Sequence, residues 1–112
     1  MSELNHVLNN NQFVVVDFHA TWCGPCKAIA PKLKSLCEEN GVTLYKIDVD
    51  EEPDIAAIYS IESLPTILFF KGGAKVGTVI GAKLDKIKEM ITKMKWIQMK
   101  WNKFKNEINL KI

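Results

Sequence analysis

Two cysteines separated by a glycine and a proline, Cys23 and Cys26 in WCGPCK, are the residues of this chain best suited by type and spacing to chemistry. Such a pair can be half of a zinc site, a structural staple, or a dithiol that opens and closes. Zinc needs four ligands, usually a second close cysteine pair or two neighbouring histidines. The other candidates, Cys37, His6 and His19, are not spaced that way, so no metal site is expected. A staple closing so short a loop removes little unfolded-chain entropy. Three cysteines, an odd number, also speak against a disulfide framework.

The setting favours the dithiol. FVVVDF (13–18) reads as a strand covered on both faces, and a short loop, HATW, leads from it to the cysteines. A helix starting near Cys23 places that sulfur beside unpaired backbone N–H groups and the positive end of the helix dipole, which stabilise a thiolate. Cys26 falls one turn later on the same side, within disulfide reach. Cys23 is thus expected to be exposed and reactive, and Cys26 more buried. This is the arrangement of thiol–disulfide exchange, in which one thiolate attacks and the second thiol releases the mixed disulfide. Asp17 is the next anomaly, a carboxylate within an apolar run. It either turns to solvent at a strand end or is a buried acid able to take the proton from Cys26. The position inside VVVDF weighs toward the buried acid.

The elements that must hold these residues follow along the chain. Leu4, Val7 and Leu8 recur at helical spacing, giving a short helix over 3–9 that ends at the Asn9–Asn11 turn. The helix from Cys23 buries Ile29, Leu33, Leu36 and Cys37 and stops at Asn40-Gly41, with Pro31 expected to kink it. VTLYKIDV (42–49) is a second strand, and Pro53 opens a short helix through Tyr59. PTILFFK (65–71) and KVGTVIG (75–81) form a hairpin across Gly72-Gly73, and a last helix begins near Leu84. The order αβαβαββα predicts an α/β domain with a central mixed sheet flanked by helices. At 112 residues and 47% hydrophobic content the chain fits one domain with a core of its own.

The charge is uneven. Residues 1–91 carry a net −3 and residues 92–112 a net +5, from six lysines against one glutamate. All fifteen basic residues are lysines. Without arginine there are no guanidinium forks to read bases, so no nucleic-acid partner is expected. The N-terminal MSELNHVLNNNQ lacks a basic region followed by an apolar stretch, so no signal peptide is expected and a cytoplasmic address is the default.

Taken together, VVVDF, WCGPCK, KIDVDEEP, SLPT and VIGA closely resemble the thioredoxin family, in this order and at similar spacings, over about Phe13 to Met94. The resemblance implies a thioredoxin fold and a protein-disulfide reductase and electron carrier working through a reversible Cys23–Cys26 disulfide. Cys23 corresponds to the attacking cysteine, Cys26 to the resolving one and Asp17 to the family's buried acid. Lys46 matches the lysine that pairs electrostatically with that acid, and Pro65, in Leu64-Pro65-Thr66, matches the cis-proline opposite the disulfide. Trp22, Gly24, Pro25, Leu64 and the Ile80-Gly81-Ala82 turn would form a flat apolar patch where client peptide binds by backbone pairing. Asp50 resembles the acid that accepts from the tryptophan indole. His19 falls where the family varies, and Cys37 reads as a buried free thiol. The proline between the cysteines resembles strongly reducing members, with potentials of about −270 mV. The resemblance implies no bound cofactor, electrons from NADPH through thioredoxin reductase, and clients of the peroxiredoxin, ribonucleotide reductase and methionine sulfoxide reductase type.

Both ends depart from the family. The usual first edge strand is missing, which would leave VTLYKIDV an open edge. The division expected is a thioredoxin domain over 1–96 and a basic amphipathic extension over 97–112. Ile87, Met90, Met94, Ile97, Trp101, Phe104 and Ile108 recur in steps of three and four, so the last helix should run on through about Lys105. The extension could fold onto its own domain, pair with a second copy as a homodimer, or bind an acidic membrane or a calmodulin-like partner. Alternatively Ile108–Ile112 could form a strand that fills the open sheet edge, in cis or in a swapped homodimer.

Overall fold

A computed structural model describes residues 2–109. The elements run α1 (Ser2–Asn10), β1 (Phe13–His19), α2 (Gly24–Glu39), β2 (Thr43–Asp48), α3 (Pro53–Ile58), β3 (Thr66–Lys71), β4 (Ala74–Ile80) and α4 (Leu84–Asn109). The four strands form one sheet in the order β2-β1-β3-β4. β1 pairs parallel with β2 and antiparallel with β3, and β3 pairs antiparallel with β4, so the sheet is mixed.

The two-residue period of β1 and β3 divides the core. Val14, Val16, Phe18, Leu68 and Phe70 face α1 and α3, where they meet Leu4, Leu8 and Ile55. Val15, Ile67 and Phe69 face the other way, onto Ile29, Leu33 and Cys37 of α2 and Ile87, Ile91 and Met94 of α4. Covered on both faces, the two central strands need the near-continuous apolar runs that marked them in the sequence. By the same alternation Asp17, two residues from Val15, stands on the α2 side of β1.

β2 is one edge of the sheet, and among the described residues no strand pairs with its outer side. α1 extends to Asn10, and the side-chain amides of Asn10 and Asn11 donate to the carbonyls of His6 (2.7 Å) and Val7 (2.9 Å) in its last turns. α2 stays one helix across Pro31 and ends at Glu39, just before Asn40 and Gly41, whose φ of +65° favours glycine. α4 continues well past Lys105, to Asn109. From Trp96 onward its large side chains are exposed, so this stretch is not folded back onto the domain. Of the segment once open to reading as a strand, Ile108 and Asn109 lie in this helix and 110–112 lie outside the described residues.

Candidate redox site

β1 delivers the chain to a tight turn, held by the Cys23 N–H donating to the Ala20 carbonyl at 3.1 Å. Cys23 then caps α2 with extended backbone (φ −85°, ψ 107°), and its Sγ accepts from the Cys26 N–H at 3.2 Å. A capping residue accepts from an N–H that the first turn of a helix cannot otherwise satisfy. Pro25, which lacks an N–H, occupies the first turn, where that lack costs nothing. The result holds the two sulfurs bonded, with a Cα separation of 5.3 Å.

Exposure corrects one expectation. Cys23 is only 5% exposed, nearly as buried as Cys26 at 4%. Val49 and Leu64, far away in sequence, pack against the pair and cover it. What separates the sulfurs is the direction in which each opens. Cys23 lines a cleft of about 530 Å³ with Trp22, Gly24, Pro25, Val49, Ile61, Glu62 and Leu64. Cys26 lines a second one of about 550 Å³, whose wall includes Asp17, His19, Pro31, Lys34 and Lys46.

On the Cys23 side, Trp22 is 69% exposed, yet its indole is fixed by donating from Nε1 to Asp50 Oδ2 at 2.8 Å. Asp50 is itself tied back, its N–H donating to Asp48 Oδ1 at 2.8 Å. The Leu64-Pro65 peptide is cis, and the Pro65 carbonyl accepts from the Gly81 N–H at 2.8 Å. That hydrogen bond sets the Ile80-Gly81-Ala82 turn beside Pro65. Val49, Ile61 and Glu62 line the cleft in addition to residues named from the sequence. Ile61 and Glu62 lie just before Ser63-Leu64-Pro65, a nearness in sequence that could have suggested them.

On the Cys26 side, Asp17 is 1% exposed and sits opposite Lys46 in the β1–β2 register. Its Oδ1 has no hydrogen-bond partner among the described residues. Burial raises its pKa above the ordinary carboxylate value, against the opposing pull of His19 and then Lys46. Such a carboxyl can hold or release a proton nearer neutral pH than an exposed one. Lys46 is exposed, and His19 is half-buried at the end of β1. Cys37 is buried on α2, its thiol pushed up to about 11, first by burial and then by the charges of Asp17 and Glu38.

Among the described residues no three His, Cys, Asp or Glu side chains cluster as metal ligands do, and no helix is long and apolar enough to cross a membrane.

Comparison with known proteins agrees with this geometry. The thioredoxin family model matches residues 2–93. Thioredoxin-2 of Saccharomyces cerevisiae is 46% identical over 84 residues, covering 74% of this chain and 81% of that protein. Thioredoxin-2 of Pyricularia oryzae is 44% identical over 91 residues, covering 80% of this chain, and the match spans 53% of that longer protein. Mitochondrial thioredoxin 3 from Saccharomyces cerevisiae, in its oxidized form, superposes with a TM-score of 0.79 at 38% identity, covering 82% of this chain and 88% of that one.

Proposed function

The chain belongs to the thioredoxin family of thiol–disulfide oxidoreductases, and we propose that it is a protein-disulfide reductase in which Cys23 attacks and Cys26 resolves. The observation that carries this division is the cap: the Cys23 Sγ faces the Cys26 N–H at 3.2 Å, where a thiolate gains from the helix N-terminus. In the reduced protein the Cys23 thiolate attacks one sulfur of a client disulfide. That S–S bond breaks, a Cys23–client disulfide forms, and the departing client thiolate takes a proton from solvent. The Cys26 thiol then gives its proton to ionised Asp17, which shares its cavity, and the Cys26 sulfur attacks Cys23. The mixed disulfide breaks, and its client sulfur leaves as a thiolate that takes a proton from solvent while Asp17 returns its own to solvent. The client departs as a dithiol carrying two electrons. The Cys23–Cys26 disulfide remains.

Lys46, opposite Asp17, moderates the cost of that carboxylate's ionised form. Trp22, Gly24, Pro25, Leu64 and Pro65 form the seat for an extended client segment, with Ile80–Ala82 at its border. Backbone pairing there suits many clients, because it makes little use of their side chains.

We infer further that electrons come from NADPH through a thioredoxin reductase, with no cofactor bound to this chain. A relative from Mycobacterium leprae named bifunctional thioredoxin reductase/thioredoxin, 47% identical over 79 residues, supports that source. Peroxiredoxin-type clients are supported by a neighbour described in terms of thiol resolution in a yeast mitochondrial 1-Cys peroxiredoxin (TM-score 0.79). Ribonucleotide reductase and methionine sulfoxide reductase types are the other clients we propose, with electron transport in the cytoplasm as the setting. Residues 1–96 form the redox domain in this proposal and residues 97–112 an extension outside it. Turnover of a disulfide-bonded test protein, with dithiothreitol as electron source, is the check. Cys23→Ser should stop it, and an unchanged rate would refute the reading.

A further inference from the structure

The second half of α4 takes no part in the redox site. Ile87, Ile91 and Met94 are the last side chains it buries. Lys95 then donates to the Asn40 carbonyl and lies over the Phe13 ring, 5.8 Å from its centroid, as the last tie to the body. Beyond it Trp96, Ile97, Met99, Trp101, Phe104 and Ile108 are all between 41% and 67% exposed. At the turn of an α-helix, Ile97, Trp101, Phe104 and Ile108 fall within an arc of about 60°. Lys93 and Lys100 border that arc on one side and Lys105 on the other. Trp96 stands further round, with Lys100 Nζ 5.0 Å from its ring centroid.

We propose that this half of α4 lies along an anionic lipid bilayer surface, its apolar stripe in the acyl boundary and its lysines among the headgroups. Charge decides the occupant. Residues 92–112 carry six lysines against one glutamate, so the helix is drawn to a negative surface and repelled by another copy of itself. Self-pairing also fits poorly in detail. With the stripe as its seam, a parallel pair sets Lys100 of one copy against Lys105 of the other. An antiparallel pair brings Lys100 to Glu107 and Lys105 to Gln98, yet it still sets two helices of net charge +5 side by side. The stripe offers four side chains, whereas a stable interface engages roughly 20–30 residues a side. Either pairing leaves Trp96 in water. At a bilayer, the Trp96 ring lies at headgroup depth, where indoles concentrate, and the lysines extend their heads toward phosphate.

The test uses the full chain with vesicles of phosphatidylcholine alone and of phosphatidylcholine and phosphatidylserine in equal parts. Co-flotation and a blue shift of tryptophan emission are expected with the anionic vesicles only, weakening as salt is raised. Replacing Lys100, Lys103 and Lys105 together by Gln should weaken partitioning roughly a hundredfold, about fivefold per lysine. Phe104→Glu should abolish it. Both variants should keep the parent's turnover of a disulfide-bonded protein, because neither touches the redox site. If Phe104→Glu frays the helix, the lysine variant still tests the claim, since glutamine keeps helical propensity. Failure to float with phosphatidylserine, or equal flotation on both vesicles, overturns the proposal. So does a dimeric mass in light scattering that Phe104→Glu converts to a monomer without any flotation, because a second copy would then cover the stripe.

Discussion

The two sulfurs of the bonded pair are almost equally buried, at 5% and 4%, yet they look onto different surroundings. Cys23 opens on a cleft edged by an exposed tryptophan, a leucine and backbone. Cys26 opens on a cavity lined by a buried carboxyl, a histidine and three lysines. Exposure therefore does not assign the roles. One neighbourhood suits an incoming peptide and the other suits a proton, and the one-turn spacing of the cysteines gives each sulfur its own.

The largest effect should come from breaking the pair on its substrate side. Cys23→Ser should lower disulfide-reductase turnover by at least about a thousandfold, as loss of a nucleophile does. On the proton side, Asp17→Asn should slow turnover about a hundredfold near neutral pH, the scale of general acid–base help. The parent's rate should rise with pH as Asp17 ionises, with a midpoint above the ordinary carboxylate range, and the variant's profile should lack that step. Stability should move the opposite way. Folding raises the Asp17 pKa above its unfolded value of about 3.8, so its contribution is complete below that pH and is lost as pH rises through the folded value. Asp17→Asn should accordingly gain about 1–3 kcal/mol over the parent at neutral pH, an advantage that fades in acid, as paired thermal melts would read.

Smaller effects sharpen the contrast. Trp22→Ala removes the indole and its bond to Asp50, and should raise KM for a protein substrate about fivefold to tenfold with little change in kcat. A third sulfur, Cys37, faces neither opening, and with its thiol pushed up to about 11 it should be the last to alkylate in the reduced protein at neutral pH. Cys37→Ala should leave turnover unchanged and cost about 1 kcal/mol of stability. Ending the chain after Trp96 should keep turnover within about twofold, since none of the described residues removed belongs to the buried core.

Most of the scaffold was legible because local pattern and tertiary need coincide. FVVVDF and TILFFK are mostly apolar because β1 and β3 are covered on both faces, and Asn40-Gly41 ends α2 where a positive φ is required. The cysteine pair, the buried acid and the cis-proline stood out by residue type within those elements. The cover over Cys23 did not, because Val49 and Leu64 reach it from two other parts of the chain. The exposure of α4 beyond Lys95 was hidden for a related reason. Its stripe keeps the same spacing whether or not anything packs on it, and only the end of the sheet beneath shows where packing stops.

Mass spectrometry of the mixed disulfide tests the division between the two cysteines most directly. Reduced Cys26→Ser, mixed with a disulfide-bonded client, should accumulate a covalent adduct through Cys23, because attack proceeds and resolution cannot. Cys23→Ser should form none over the same time. An adduct that builds up on Cys26 in Cys23→Ser, as fast as the other does on Cys23, would contradict the assignment of the attacking sulfur.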